Sequence, residues 1–173
     1  APVTSTLMGL GAYPASDERY VGMLGMHGTY EANMAMHDCD VMICIGARFD
    51  DRVTGRVDAF SPGSKKVHID IDRSSINKNI AVDLGIVGDV AHVLEDMIKC
   101  WKSKAHQKQD AALEKWWAQI KEWRAVDCLK FDQGEGRILP QHAIQRIYEL
   151  TKDKNPIVAT DVGQHQMLSL IHI

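Results

Sequence analysis

Short runs of consecutive apolar residues alternate, over the first hundred positions, with stretches in which apolar residues recur every three or four. "PVTST" is a β-branched run that gives way to "LMGLGAYP", where Gly9 and Gly11 mark a tight turn, so a strand opens into a loop. "GTYEANMAMHDCD" has a threonine placed to start a helix and an Ala, Met and Glu-rich body. It leads into "VMICI", Val41 to Ile45, whose unbroken apolarity predicts a strand buried on both faces. "KKVHIDID" alternates and ends in acids, "RSSINKNI" predicts a short helix or turn, and "LGIVGD" another short strand. "VAHVLEDMIKCW" is amphipathic, with Val90, Val93, Leu94, Met97 and Ile98 on one stripe. Strand and helix in alternation predict an α/β fold built on a doubly wound parallel sheet.

After Trp101 the texture changes. "KSKAHQKQDAALEKWWAQIKEWRAVDCLKFDQGEGR" is charged and carries one helical stripe, Leu113, Trp116, Trp117, Ile120 and Trp123, which predicts a linker helix. Tryptophans at helical spacing are more often packing than the lining of a ligand groove. A second unit then begins, with a proline near a helix start, an amphipathic helix on Ile144, Ile147, Tyr148 and Leu150, a strand "PIVATD", and the glycine-bearing loop "DVGQHQ".

Composition narrows the partners. The chain has 173 residues, 45% hydrophobic and 25% charged, with net charge −3. Mild acidity gives no general pull toward nucleic acid, and the apolar runs are too short to span a bilayer. Cys39, Cys44, Cys100 and Cys128 show no CxxC spacing, which argues against a zinc site or a disulfide framework and for a reducing compartment. The chain opens at Ala1 with no signal pattern and reads from its first residues as the inside of a domain, so a piece of a longer protein is expected.

In an open parallel sheet, ligands gather beyond the carboxyl ends of the strands. Five loops here have that position: "LMGLG", "GARFDDR", "DIDRSS", "GDV" and "DVGQHQ". Glycine lets backbone approach a diphosphate, arginine offers a fork of donors, and an acid after a strand can take a ribose hydroxyl. Together they describe a nucleotide site, although Gly9-x-Gly11 lacks the third glycine of the dinucleotide fingerprint. The competing account makes "ARFDDR" a solvated loop whose arginines pair with Asp50 and Asp51, His27 a cap or core histidine, and Met23, Met26, Met34 and Met36 core filler. From the residues alone both remain open.

In their order and spacing, "TLMGLGAYP", "GMLGMHGTYEANMAMHDCDVMICIGARFDDRVTG", "VHIDIDRSSINK", "IVGD" and "ATDVGQHQM" resemble the catalytic subunit of acetohydroxyacid synthase, also called acetolactate synthase, over Ala1 to Met167. The resemblance implies a Rossmann-like, FAD-binding middle domain over 1–102, a helical linker over 103–136, and the start of a C-terminal thiamine diphosphate domain over 137–167. It implies FAD, thiamine diphosphate and Mg2+ as cofactors, with the catalytic glutamate and the magnesium segment outside these residues. The implied reaction condenses pyruvate with a second 2-ketoacid, pyruvate or 2-ketobutyrate, with loss of carbon dioxide, in branched-chain amino-acid biosynthesis. A cytoplasmic, bacterial homo-oligomer with a regulatory small subunit is implied as well.

By the same resemblance, Thr6, Leu7 and Met8 match an FAD-contacting strand end, and Leu24, Gly25, Met26 and His27 a second flavin-lining segment. Gly46, Ala47, Arg48, Asp50 and Arg52 match the loop along the flavin's diphosphate and ribityl chain, and Asp70, Ile71, Gly88 and Asp89 its adenosine end. Arg52 matches the position that recognises the acceptor's carboxylate, with Met26 shaping that pocket, and Asp51 and Arg52 match positions where herbicidal inhibitors bind. Val162, Gly163, Gln164 and His165 match the loop at the diphosphate end of thiamine diphosphate.

One departure stands out. After "GQHQM" the family continues with an aromatic and small residues, whereas this chain ends "LSLIHI", the hexapeptide a common transposon-end sequencing adapter encodes, so 168–173 is expected to be a non-native tail. Glyoxylate carboligase and pyruvate oxidase share the three-domain plan, but "GARFDDR" together with "GMHGTYEANMAMH" separates this chain from them. A non-catalytic nucleotide-binding module is the alternative of another class, and "DVGQHQM" at a strand end counts against it. The chain alone is expected to make no acetolactate, to bind FAD weakly at best, and to aggregate through apolar faces of its second unit.

Overall fold

The computed structural model describes residues 1–106 and 109–172, with side chains described as far as Leu168. Two parallel sheets carry the first unit. β1 (Val3–Ser5) pairs with β2 (Tyr20–Met23), while β3 (Val41–Ile45), β4 (Lys65–Asp70) and β5 (Leu84–Val87) pair in the order β3-β4-β5. Val41 stands opposite Lys65 and Ile45 opposite Ile69, and on the other side of β4, Val67 stands opposite Leu84 and Asp70 opposite Val87. Parallel neighbours need crossovers. The β1–β2 connection holds a 3-10 turn at Leu7–Gly9, the β3–β4 connection holds α2 (Asp51–Thr54) and a 3-10 turn at Val57–Ala59, and the β4–β5 connection a 3-10 turn at Arg73–Ser75, while α1 (Tyr30–Asp38) links the two sheets. α3 (Val90–Lys102) follows β5. The alternation of strand and helix thus gives the parallel α/β architecture that the pattern predicts, except that β2 was not anticipated.

Two apolar clusters hold this unit. Val21, Ala32 and Ala35 pack with Ile120 and Trp123 of α4 (Asp110–Arg124), and Cys44 packs with Phe49, Phe60 and Ile80. The tryptophan stripe is therefore packing. Trp116 meets Trp123 edge to face at 5.5 Å, and Arg124 Nη2 donates to the carbonyls of Glu18 (2.9 Å) and Tyr20 (2.6 Å), fastening α4 to the edge of β2.

The expectation of a strand buried on both faces is corrected. In β3, Cys44 is buried and Met42 packs against its cluster, but Val41, Ile43 and Ile45 are exposed. β3 is an edge strand; α3 contacts β4, whose Ile69 is completely buried, whereas Val41, Ile43 and Ile45 of β3 are left bare. The stripe on α3 is correspondingly no deeper than half-buried.

Burial pushes the Cys44 thiol up to about 11, so it stays protonated at neutral pH, whereas Cys100 is exposed. A thiol-alkylating reagent at about pH 8 is expected to modify Cys100 and spare Cys44. Peptide mapping that finds both labelled at similar rates would show the second cluster to be open.

The second unit departs further from expectation. α5 (Pro140–Thr151) starts with its proline at the first turn, where a missing N–H costs nothing, and packs against α6 (Gln164–His172). No strand forms over 155–161, where "PIVATD" was expected, and Ile157 is almost fully exposed. A strand is stabilised by a neighbour, and among the described residues none lies beside this one. Ile147, Tyr148 and Leu150 of α5 are exposed as well. α6 runs through the expected tail at 168–173, of which residue 173 lies outside the described residues. Among the described residues no helix is long and apolar enough to cross a membrane, and no group of three or more His, Cys, Asp or Glu is placed to hold a metal ion.

Candidate functional site

The loop that leaves β2 lies directly on the first turn of α2. Gly25 is buried with φ +97°, and a Cβ there would stand 2.5 Å from the Arg52 carbonyl oxygen. Only glycine permits that approach. The next residue completes the contact, Met26 N–H donating to Arg52 O at 2.7 Å. Gly25 is itself gripped from α1, its N–H donating to Asn33 Oδ1 (2.7 Å) and its carbonyl accepting from Asn33 Nδ2 (2.9 Å). Thr29 caps α1, its Oγ1 accepting from Ala32 N–H and donating to Val21 O. Gly25, Met26 and Arg52 are thus brought together by backbone contacts, with His27 half-buried beside them.

The loop after β3 turns on an anchored aromatic. Gly46 (φ +64°) donates to Ile69 O, and Phe49, a non-glycine at φ +54°, buries its ring edge-on to Phe60 (5.6 Å) and His68 (5.1 Å). Asn79 Nδ2 donates to Phe49 O (3.0 Å) and Arg48 O (3.3 Å), holding the strained residue from outside the loop. Arg48 and Asp50 form an exposed pair at 2.9 Å, a contact worth about 0–1 kcal/mol. Arg52 is exposed, and among the described residues its guanidinium has no hydrogen-bonding or ionic partner.

At the ends of β4 and β5 the acids are turned to local work. Asp70 is buried, its Oδ1 accepting from Asp72 N–H at 2.8 Å and its Oδ2 lying 3.6 Å from Nε2 of the fully buried His68, neither of whose ring nitrogens has a hydrogen-bond partner among the described residues. Gly88 N–H donates to Asp70 O, and Asp89 caps α3, accepting from Ala91 N–H at 2.9 Å and His92 N–H at 3.4 Å. By contrast, three apolar side chains at strand ends are bare: Met8 (93% exposed), Met26 (60%) and Ile71 (72%). Thr6 and Leu7 precede Met8 at the 3-10 turn Leu7–Gly9, and Leu24 packs on the first cluster. Ala47 packs against the second cluster. Val162 and Gly163 lead into Gln164 and His165 at the start of α6, in the other unit.

Sequence reasoning passed over three residues that shape these loops: Asn33, Asn79 and the anchoring role of Phe49. Asparagine inside a helix body and again just past a turn is the one sequence signal that could have flagged the first two, since its amide favours backbone partners.

Residues 1–97 match the family model described as thiamine pyrophosphate enzyme, central domain. The chain therefore belongs to the thiamine pyrophosphate enzyme family, its parallel α/β unit being the Rossmann-like central domain. Within that family it is similar to acetolactate synthases. It is 49% identical over 171 residues to the acetolactate synthase large subunit of Haemophilus influenzae, covering 99% of this chain and 30% of that protein. It is 48% identical over 172 residues to the acetolactate synthase isozyme 3 large subunit of Escherichia coli, with the same coverage. It is 46% identical over 167 residues to the chloroplastic acetolactate synthase 3 of Brassica napus, covering 96% of this chain and 25% of the relative. The chain spans about 30% of the length of the bacterial relatives.

Proposed function

We propose that these residues form part of an acetolactate synthase large subunit, a transferase that joins pyruvate to a second 2-ketoacid with loss of carbon dioxide on the way to branched-chain amino acids. The observation that carries this is Arg52, an exposed guanidinium without a partner, pinned by backbone beside the bare Met26. A planar fork of donors matches a carboxylate, and an apolar wall beside it suits the short alkyl end of an acceptor ketoacid.

FAD fits the same face as a structural ligand. Met8, Met26 and Ile71 are apolar surfaces left uncovered at three strand ends, and a Cβ on Gly46 would meet nothing within 4 Å, so backbone there is open to a diphosphate. Leu7, Leu24, His27, Ala47, Arg48 and Gly88 would complete that lining. Asp70 and Asp89 are already engaged with backbone N–H groups, so their part at the adenosine end would be to shape the loop before touching a ribose. Thiamine diphosphate, when bound, supplies the carbon nucleophile and the electron sink for decarboxylation. Val162 to His165 would meet its diphosphate end, and Mg2+ would be held by residues beyond this chain. Arg52's task is to bind and orient the acceptor, which concerns the second ketoacid and leaves decarboxylation of the first untouched. A cytoplasmic homo-oligomer with a small regulatory subunit goes with this assignment, as does inactivity of the 173 residues taken alone.

Arg52→Ala in the intact enzyme tests it. Loss of charge-assisted hydrogen bonds worth roughly 1.5–3 kcal/mol is expected to lower acceptor condensation by about ten- to a hundredfold. Donor decarboxylation, followed as carbon dioxide release with an artificial electron acceptor, should change less than about twofold. Equal loss of both would remove Arg52 from the acceptor site.

A further inference from the structure

Asn33 lies one turn into α1, and both ends of its carboxamide are taken by a single residue. Gly25 donates its N–H to Oδ1 at 2.7 Å and accepts from Nδ2 at 2.9 Å, so one planar group fixes the two peptide planes on either side of Gly25. That residue sits at φ +97°, where no intrinsic preference of an L-residue would hold it, and its carbonyl also accepts from Gly28 N–H at 2.9 Å, which closes the loop. The next peptide passes the constraint on, because Met26 N–H is bonded to Arg52 O. The amide is therefore the fixed end of a short mechanical chain running from α1 through Gly25 and Met26 to the first turn of α2.

We propose that Asn33 is a positioning residue for the acceptor 2-ketoacid site: its amide sets where Met26 stands relative to Arg52 without touching the ligand. This rests on the assignment of the acceptor's carboxylate to Arg52. The chemistry demanded is specific, since one donor and one acceptor must be presented in a plane. An ionised carboxylate offers two acceptors, and the second would face the Gly25 carbonyl oxygen with no proton between them. A protonated carboxyl restores the pattern, its O–H donating where Nδ2 did.

The test uses the intact enzyme with Asn33→Asp, Asn33→Ser and Arg52→Ala. For Asn33→Asp at about pH 7.5, the acceptor KM is expected to rise roughly tenfold while donor decarboxylation stays within about twofold. As pH falls to about 5.5, the introduced carboxyl, whose proton affinity burial raises, should regain its proton and the acceptor KM should return toward that of the unmodified enzyme at the same pH. Asn33→Ser, with one hydroxyl where two amide groups were, should raise the acceptor KM at every pH and stand in if Asn33→Asp fails to fold. A fall in thermal stability with both half-reactions reduced together and no recovery in acid would overturn the proposal, as would an unchanged acceptor KM in Asn33→Ser. If Arg52→Ala impairs acceptor use and the Asn33 variants do not, the positioning role alone fails; if Arg52→Ala leaves acceptor use intact, both assignments fall.

Discussion

Gly25→Ala in the intact protein is expected to cost about 2–6 kcal/mol of stability and, on the proposed FAD assignment, to abolish tight flavin retention. Two penalties combine. At φ +97° an alanine sits in backbone space that costs an L-residue roughly 1–3 kcal/mol. Its methyl would also lie 2.5 Å from the Arg52 carbonyl oxygen and 3.1 Å from Val53 Cα, so the β2 loop and the start of α2 must separate, a strain of about 1–3 kcal/mol. Gly46→Ala separates the two penalties, because φ there is +64° but no atom lies within 4 Å of the new methyl. It should cost only about 1–2 kcal/mol. Denaturant midpoints and retained flavin measured on both variants decide the matter, and equal losses would mean that the contact between Gly25 and Arg52 carries no weight.

The second large effect is predicted in the first apolar cluster. Trp123→Ala should destabilise the first unit by about 3–5 kcal/mol, because it empties a buried indole from the cluster that α4 shares with Val21, Ala32 and Ala35. Amide hydrogen exchange should quicken across Asp110–Arg124 and in β2, where Arg124 otherwise holds the carbonyls of Glu18 and Tyr20. A loss below about 1 kcal/mol with exchange unchanged would show that α4 rests on the surface without contributing to the core.

The apolar stripe of α3, the Ala, Met and Glu-rich body of α1 and the apolar runs of β3, β4 and β5 made those elements legible. β2 escaped because Gly22, at φ +98° and packed against Thr29, breaks the run "YVGM" where a glycine ordinarily signals a turn. "VMICI" read as buried on both sides because its composition is that of an interior strand, yet burial depends on what lies beside the strand, and its outer face has no cover. "PIVATD" failed for the same reason: its propensity is extended, but among the described residues no neighbour pairs with it. At the site, the loop positions were legible from strand ends and glycines. The pairing of Arg48 with Asp50 is the one the solvated-loop reading of "ARFDDR" offered, but the commitments of Asp70 and Asp89 to backbone N–H groups were not legible, since such pairings depend on side-chain rotamers within a turn. Asn33 and Asn79 were hidden because their partners lie eight and some thirty residues away, across folds of the chain that periodicity does not describe.

The docking of α4 on β2 and α1 also bears on how the polypeptide is made. Val21, Ala32 and Ala35 leave the ribosome long before Ile120 and Trp123 are synthesised, an interval of roughly five to twenty seconds at ordinary elongation rates. Throughout it the first sheet has a hydrophobic surface with no lid, a natural landing place for chaperones, and the unit can complete its core only once translation has passed the helix that seals it.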